Sequence, residues 1–221
     1  MRTEINLLKN YPKTIRNTKE RSEKKSPQDI LIARKFDYEY FDGDRKYGYG
    51  GYYYNKKYWK NTASDFIDYY QLNNNSSILD IGCGKGFMLY EIKKKLPNIK
   101  IKGIDISKYA INNAKEEVKK YLQIGNASKL EFDDNSFDLI TSIVTLHNLN
   151  YDDCAKSLQE INRVSKRDSF ITVDAYSNSE EKVLMEEWNL TALTVMHVDE
   201  WKKFFIKNNY NGDFFWFNPL S

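Results

Sequence analysis

The chain has 221 residues, 41% of them hydrophobic, and a formal charge of +3 at pH 7. That length suits one globular domain with an accessory element, and the apolar content excludes wholesale disorder. No run approaches the roughly 20 apolar residues of a membrane span, and residues 1–16 lack the apolar core of a signal peptide, so a cytoplasmic protein with no membrane partner is expected. Cys83 and Cys154 cannot build a disulfide framework. With His147 and His197 they show neither CxxC nor HExxH spacing, and no metal site is expected.

The charge is uneven along the chain. Residues 1–25 hold eight Lys/Arg against three Glu, a local +5, which leaves −2 for residues 26–221. Enzymes of nucleic acids spread a basic footprint over the folded domain, so no nucleic-acid partner is expected. Residues 1–25 read as a solvated basic arm, helical in part and ordered by contact with the body. Ser26-Pro27 is an N-cap followed by proline at the first helical position, which predicts a helix running to about 36–41. Residues 36–59 then contain eleven of the 33 aromatic residues, wrapped around Gly43, Gly48, Gly50 and Gly51, and read as a loop. Helical spacing returns at Ala63, Phe66, Ile67 and Tyr70. Residues 26–75 thus form a helical and aromatic cap.

From residue 76 to 221 short β-rich runs alternate with amphipathic helices. Strands are expected at 77–81, 99–104, 122–124, 137–144 and 169–174, with a helix running to about 94 and helices at 108–120 and 151–164 between them. Two further helices, at 180–189 and 198–207, precede a last strand at 213–217; 195–198 reads equally as a strand or a helix end. This alternation predicts an α/β fold, a doubly wound, mostly parallel sheet of Rossmann-like type.

The strongest chemical signal is Leu79-Asp80-Ile81-Gly82-Cys83-Gly84-Lys85-Gly86-Phe87, where the first strand passes into the first helix. Glycine there lets the backbone turn tightly and approach a ligand. A dinucleotide fingerprint would need Gly or Ala at Phe87, and a P-loop would need GxxxxGK[ST]; neither is met. Asp105, nineteen residues beyond Gly86, ends the second strand, where a carboxylate can accept both ribose hydroxyls. At Gly125-Asn126-Ala127 the Asn126 side chain offers an acceptor to an adenine amino group. Three such stations describe an adenosyl pocket without a phosphate cradle.

Through the glycine loop, Asp105, Gly125-Asn126-Ala127 and Phe132-Asp133-Asp134-Asn135-Ser136-Phe137-Asp138, the chain resembles the class I S-adenosylmethionine-dependent methyltransferases. Arg45-Lys46-Tyr47-Gly48-Tyr49-Gly50-Gly51-Tyr52, followed by Tyr54-Asn55, Lys57 and Tyr58-Trp59, is similar to a segment of small bacterial methyltransferases, some encoded among surface-polysaccharide genes. The resemblance implies S-adenosylmethionine as cofactor and a small-molecule acceptor, a sugar or nucleotide-sugar among the candidates, methylated at a hydroxyl or amine. The expected cofactor contacts are Tyr49, Tyr52, Asp80, Gly82, Cys83, Gly84, Gly86, Asp105, Ile106, Asn126, Ala127 and Ser142, with Cys83 acting through its backbone. The segment Ser142-Ile143-Val144-Thr145 lacks the D/N-P-P-Y/F pattern of exocyclic-amine base methyltransferases.

A sulfonium methyl is already activated, so the protein's tasks are alignment and exclusion of water. The aromatic loop reads as a lid for that purpose, or as a plain roof over the sheet. His147, past the fourth strand, is the candidate general base or a shaper of the pocket wall. Tyr176, past the fifth strand, is an acceptor-side candidate or a packing residue, and His197 reads as a helix cap. Two other readings remain: a non-catalytic adenosyl- or partner-binding module, and a nicotinamide oxidoreductase, against which Phe87 speaks.

Overall fold

In the computed structural model, residues 3–13 and 17–218 are described; 1–2 and 14–16 of the basic arm, and 219–221, lie outside them. Strands β1 (Ser77–Ile81), β2 (Lys100–Asp105), β3 (Leu122–Ile124), β4 (Phe137–Ile143), β5 (Ser165–Tyr176), β6 (Met196–His197) and β7 (Asp213–Phe217) form one sheet. Its order is β3-β2-β1-β4-β5-β6, with β7 paired to the earlier part of β5, and every strand pairing is parallel. The doubly wound α/β fold expected from the alternation is therefore present.

The helices are α1 (Thr18–Lys24), α2 (Pro27–Ala33), α3 (Tyr38–Phe41), α4 (Lys56–Tyr69), α5 (Phe87–Lys95), α6 (Lys108–Asn112), α7 (Glu116–Lys119), α8 (Tyr151–Val164), α9 (Ser179–Trp188) and α10 (Val198–Lys207). Because side chains alternate across a strand, each strand feeds two cores. Ile78, Leu139 and Phe170 pack with Phe66 of α4 and Leu89 and Ile92 of α5. Leu79, Ile140, Ile171 and Val173 pack with Leu158 and Ile161 of α8 and Trp201 and Phe205 of α10. Asp80 and Thr141, also paired in register, share one face.

Three predicted elements differ in extent. The helix opened by Ser26 stops at Ala33, because Phe36 adopts a left-handed φ of 49° and Asp37 caps a separate short α3. The helix expected at 108–120 is two, interrupted where the Lys115 N–H donates to the Lys85 carbonyl in the glycine loop. Strand β5 begins at Ser165, four residues earlier than its apolar run, since its polar opening residues pair with β4. The ambiguous 195–198 segment is both things at once: Met196–His197 pairs with β5, and His197 caps α10.

Among its described residues the basic arm contacts the body at several points, while many of its side chains stay exposed. Glu4 bridges to Phe214 alongside β7, and Leu7 is buried in the core beside α4 and α5. Further on, Thr18 donates its hydroxyl to Glu187 and the Arg21 guanidinium lies 4.5 Å from the Trp188 ring centroid. Lys25 Nζ donates to the carbonyls of Glu186, Glu187 and Asn189 at 2.5, 3.0 and 3.0 Å. The last carbonyls of a helix have no intrahelical partner and carry its negative dipole end, so an ammonium there satisfies both. Replacing Lys25 by Met is expected to lower stability by about 1.5–3 kcal/mol, the range for hydrogen bonds to a charged group; urea denaturation with an unchanged midpoint would contradict this role.

Candidate cofactor and acceptor site

The strand order reverses between β1 and β4, and ligands of open α/β sheets bind beyond the carboxyl ends of strands at such a point. The glycine loop 82–86 leaves β1 there. Its position is fixed from β2: the N–H groups of Gly82 and Cys83 both donate to the Ile104 carbonyl, at 2.8 and 3.0 Å. Gly82 has φ +76°, and a Cβ on it would lie 2.1 Å from Thr145 Oγ1. Gly84 has φ +54° with the Tyr52 ring directly above, 3.2 Å from where a Cβ would stand. Both positions favour glycine, and the side-chain-free backbone at Gly84 lies directly beneath the Tyr52 ring of the cap.

Asp105 closes this loop from β2. Oδ2 accepts the Gly84 N–H and Oδ1 the Ser107 N–H, each at 2.8 Å. Burial raises its pKa, partly offset by those two N–H donors. A carboxylate has about four lone-pair positions, so each oxygen can still accept a ribose hydroxyl. Asp80, 5% exposed, is pushed up to about 7 by burial, against the Thr141 hydroxyl that donates to Oδ1 at 2.8 Å. Ser142 Oγ at the end of β4 is buried with no hydrogen-bond partner among the described residues. Ile106 is 59% exposed beyond β2, an apolar surface beside Asp105. A loop backbone free of side chains, a ribose-competent acid, an orphan hydroxyl and an exposed aliphatic face together fit an adenosyl ligand.

The aromatic cap reaches this site through Asp42. Its Oδ2 accepts from Lys85 Nζ at 2.6 Å and from the Tyr109 hydroxyl at 2.7 Å, while Oδ1 accepts the Tyr52 N–H at 2.9 Å. Both members of the Asp42–Lys85 pair are nearly sealed from water, with side-chain exposures of 8% and 5%. Burial raises the Asp42 pKa, but the hydrogen bonds from Lys85, Tyr109 and the Tyr52 N–H outweigh it and leave the pKa lowered. From this anchor a chain of rings crosses the loop: Tyr49 to Tyr52 at 4.4 Å between centroids, then Tyr52 stacked on Phe87 at 4.9 Å. Desolvation, with Tyr40 and Asp105 nearby, holds the Tyr49 pKa well above the usual phenol value although the residue is 46% exposed, and burial does the same for Tyr52. The Tyr40 phenol, hydrogen-bonded with Tyr49 and Thr191, is pushed up to about 12 by burial.

On the acceptor side, His147 is 3% exposed and burial pushes its pKa down to about 3, so the ring is neutral. Its Nδ1 accepts the Asp174 N–H at 3.1 Å, which places the ring proton on Nε2, 3.5 Å from Asp174 Oδ1. The Asp174 N–H therefore engages the lone pair that a general base needs, and the ring ties the turn after β4 to the end of β5. Asn189 Nδ2 donates to Asp174 Oδ2 at 2.7 Å, and Trp201 Nε1 to the Asp174 carbonyl at 3.0 Å. Tyr176 lies two residues beyond, half-buried, its ring 5.7 Å from that of His197.

Other sequence candidates divide by environment. The Asn126 carbonyl oxygen accepts both the N–H and the hydroxyl of Ser128 at 2.9 Å, so the acceptor expected to meet adenine is engaged in a local turn. Ala127 is buried beside it. The Cys83 thiol is buried and its pKa raised well above the usual value by burial, which removes it as a nucleophile. The sequence reading missed Asp42, Lys85 and Tyr40. A lysine inside a glycine run was the available sign for Lys85; Asp42-Gly43 reads as an ordinary turn and offers none.

A parallel sheet with a glycine loop after its first strand, a ribose-competent acid and no phosphate cradle fits a Rossmann-like adenosyl-binding protein. A family model described as a methyltransferase domain matches residues 72–209, and the chain belongs to the class I S-adenosylmethionine-dependent methyltransferases, with S-adenosylmethionine as cofactor. Among solved structures, the YcgJ protein of Bacillus subtilis is similar, with 25% identity and a TM-score of 0.54 over 66% of each chain. The demethylmenaquinone methyltransferase of Thermotoga maritima is 35% identical over 95 residues, 42% of this chain and 41% of that protein. The mouse mitochondrial arginine-hydroxylase NDUFAF5 is 34% identical over 91 residues, 41% of this chain and 26% of that protein. The chain thus spans less than half the length of these two curated relatives.

Asp80 yields a pH test. Its folded pKa, about 7, lies above that of an unfolded aspartate, about 4, so between these values the folded chain holds the extra proton. The stability from this group is fully present below about pH 4 and is lost as pH rises through 7. Asp80→Asn keeps an acceptor for Thr141 and removes the titration. Its Tm is expected to gain progressively on the wild type from pH 5 to 8; parallel Tm curves would show that Asp80 ionises normally.

Proposed function

We propose that the protein transfers the methyl group of S-adenosylmethionine to an amine or hydroxyl of a small-molecule acceptor, with a sugar or nucleotide-sugar among the candidates. The observation that carries this reading is the Asp42 anchor, which draws the aromatic cap over the glycine loop and Asp105 and so supports a closed, water-poor site. The cofactor supplies a methyl activated by its sulfonium. The backbone of Gly82, Gly84 and Gly86 and the Asp105 carboxylate hold it; Tyr49 and Tyr52 present ring faces suited to a cation. Ile106, Ala127 and Ser142 complete the lining, and Asn126 acts through its turn.

An acceptor amine brings its own lone pair, whereas a hydroxyl needs its proton removed. The engaged His147 ring favours the amine. In this reading His147 is a positioning residue that holds Asp174 and the end of β5, and Tyr176 lies on the acceptor side. The demethylmenaquinone methyltransferase and the arginine-hydroxylase named above act on different substrates by their names, and the acceptor here is set by this chain's own cap and α9.

S-Adenosylmethionine or S-adenosylhomocysteine is expected to raise Tm, and Asp105→Ala to remove most of that rise. The variant's own Tm falls as well, because Gly84 and Ser107 lose their acceptor, so the ligand shift is read from the variant's baseline. No shift with either ligand at millimolar concentration would overturn cofactor binding. Incubation with methyl-labelled cofactor and a pool of amines, sugars and nucleotide-sugars identifies the product; binding without any transfer would leave a non-catalytic adenosyl module.

A further inference from the structure

A cavity of about 270 Å³ opens just past the carboxyl end of β5, between α2 and α9. None of its lining residues belongs to the glycine loop, Asp105 or Asn126, so it is separate from the cofactor cradle. It is joined to the acceptor side, because Tyr176 lines it and Asn189, also in its wall, donates to Asp174. Its floor is apolar, built from Ile30, Met185 and Leu190. Ligand pockets run from roughly 300 to 1,000 Å³, so this volume suits a single small ring or one end of a larger molecule.

The charges around it are not balanced. Lys25, Arg34 and Lys182 line the cavity against one acid, Glu186. Lys25 is committed to three backbone carbonyls at the end of α9. Arg34 spends one donor on the Ala192 carbonyl at 3.2 Å, and Lys182 lies 5.7 Å from the Tyr176 ring centroid. Neither Arg34 nor Lys182 forms an ion pair among the described residues. A guanidinium with free donors and an ammonium over an apolar floor are the complement of an anionic group carried on a ring.

We infer that this cavity is the acceptor subsite, and that the acceptor is a small ring-bearing acid, its carboxylate or phosphate held by Arg34 and Lys182 and its ring laid against Tyr176 and Met185. This deepens the proposed methyl transfer and rests on it. Lys25 and the arm keep the wall in place, and Asn189 couples the wall to Asp174 and His147.

The test uses the full chain saturated with S-adenosylhomocysteine and two matched probe pairs: 4-aminobenzoate with 4-aminobenzamide, and 4-aminophenyl phosphate with 4-aminophenol. Calorimetric titration is expected to show at least one acid bound about three- to tenfold more tightly than its neutral partner, and the acid that wins distinguishes carboxylate from phosphate. Arg34→Ala/Lys182→Ala is expected to abolish that preference, and Lys182→Glu to reverse it, with the cofactor-induced Tm shift unchanged. Equal binding of acid and neutral partner in both pairs, or a preference that survives the double variant, overturns the subsite. Methyl-labelled cofactor separates the two proposals. Acid binding without transfer to any acceptor keeps the subsite and removes the enzyme reading, while transfer with no acid preference does the reverse.

Discussion

The structure depends on one buried ion pair. Asp42 belongs to the cap and Lys85 to the glycine loop, 43 residues apart in the chain and 2.6 Å apart in space. Taking two charges out of water costs several kcal/mol per ion, and their attraction offsets this only when the remaining lone pairs are also satisfied. Asp42 meets that condition with the Tyr109 hydroxyl and the Tyr52 N–H, one from the body and one from the cap. An apolar contact could supply comparable stability without fixing a register; the pair fixes which cap residue faces which loop residue. Tyr52 lies above Gly84 because its own N–H is held by the carboxylate that holds the neighbouring Lys85.

A second set of constraints runs from the arm inward. Lys25 satisfies the orphan carbonyls that end α9, and the residue just past that helix, Asn189, donates to Asp174. Asp174 holds His147 through its own N–H, and the His147 carbonyl accepts the N–H groups of Leu193 and Thr194. The turn after β4, the end of β5 and the segment after α9 are thereby locked into one rigid wall. A neutral imidazole suits this work because its Nδ1 accepts the Asp174 N–H without the cost of a buried charge.

The sheet was legible in the sequence because strand and helix periods differ, and because glycines at 82, 84 and 86 mark a turn that other residues cannot make. Asp80 and Asp105 were legible by position at strand ends. The helix break at Phe36 was not, since a left-handed φ at an aromatic residue is imposed by the packing of its neighbours and has no local signature. Nor was Asp42, whose role exists only once a loop from another part of the chain brings Lys85 to it. His147 was placed correctly at the ligand end of the sheet, but its role turns on the Asp174 N–H, a backbone donor that sequence does not display. Asn126 is similar: its acceptor is real, and Ser128, two residues on, takes it.

The arm shows why net charge is a weak guide to partners. Eight of the chain's cations fall in residues 1–25, which read from sequence as a solvated basic arm. In the fold, Arg21 packs against Trp188 and its pKa is lowered to about 10 by burial and the nearby Arg45, while Lys25 is turned into the end of α9. A cation spent on a helix terminus or laid on an indole contributes to folding and offers little to a ligand. What a ligand meets is set by the cations left without such duties beside a cavity, and Arg34 and Lys182 answer that description although both lie outside the basic segment. In the proposed acceptor subsite, charge recognition is local and rests on Arg34 and Lys182, even though the sequence displays its basic residues as a tail.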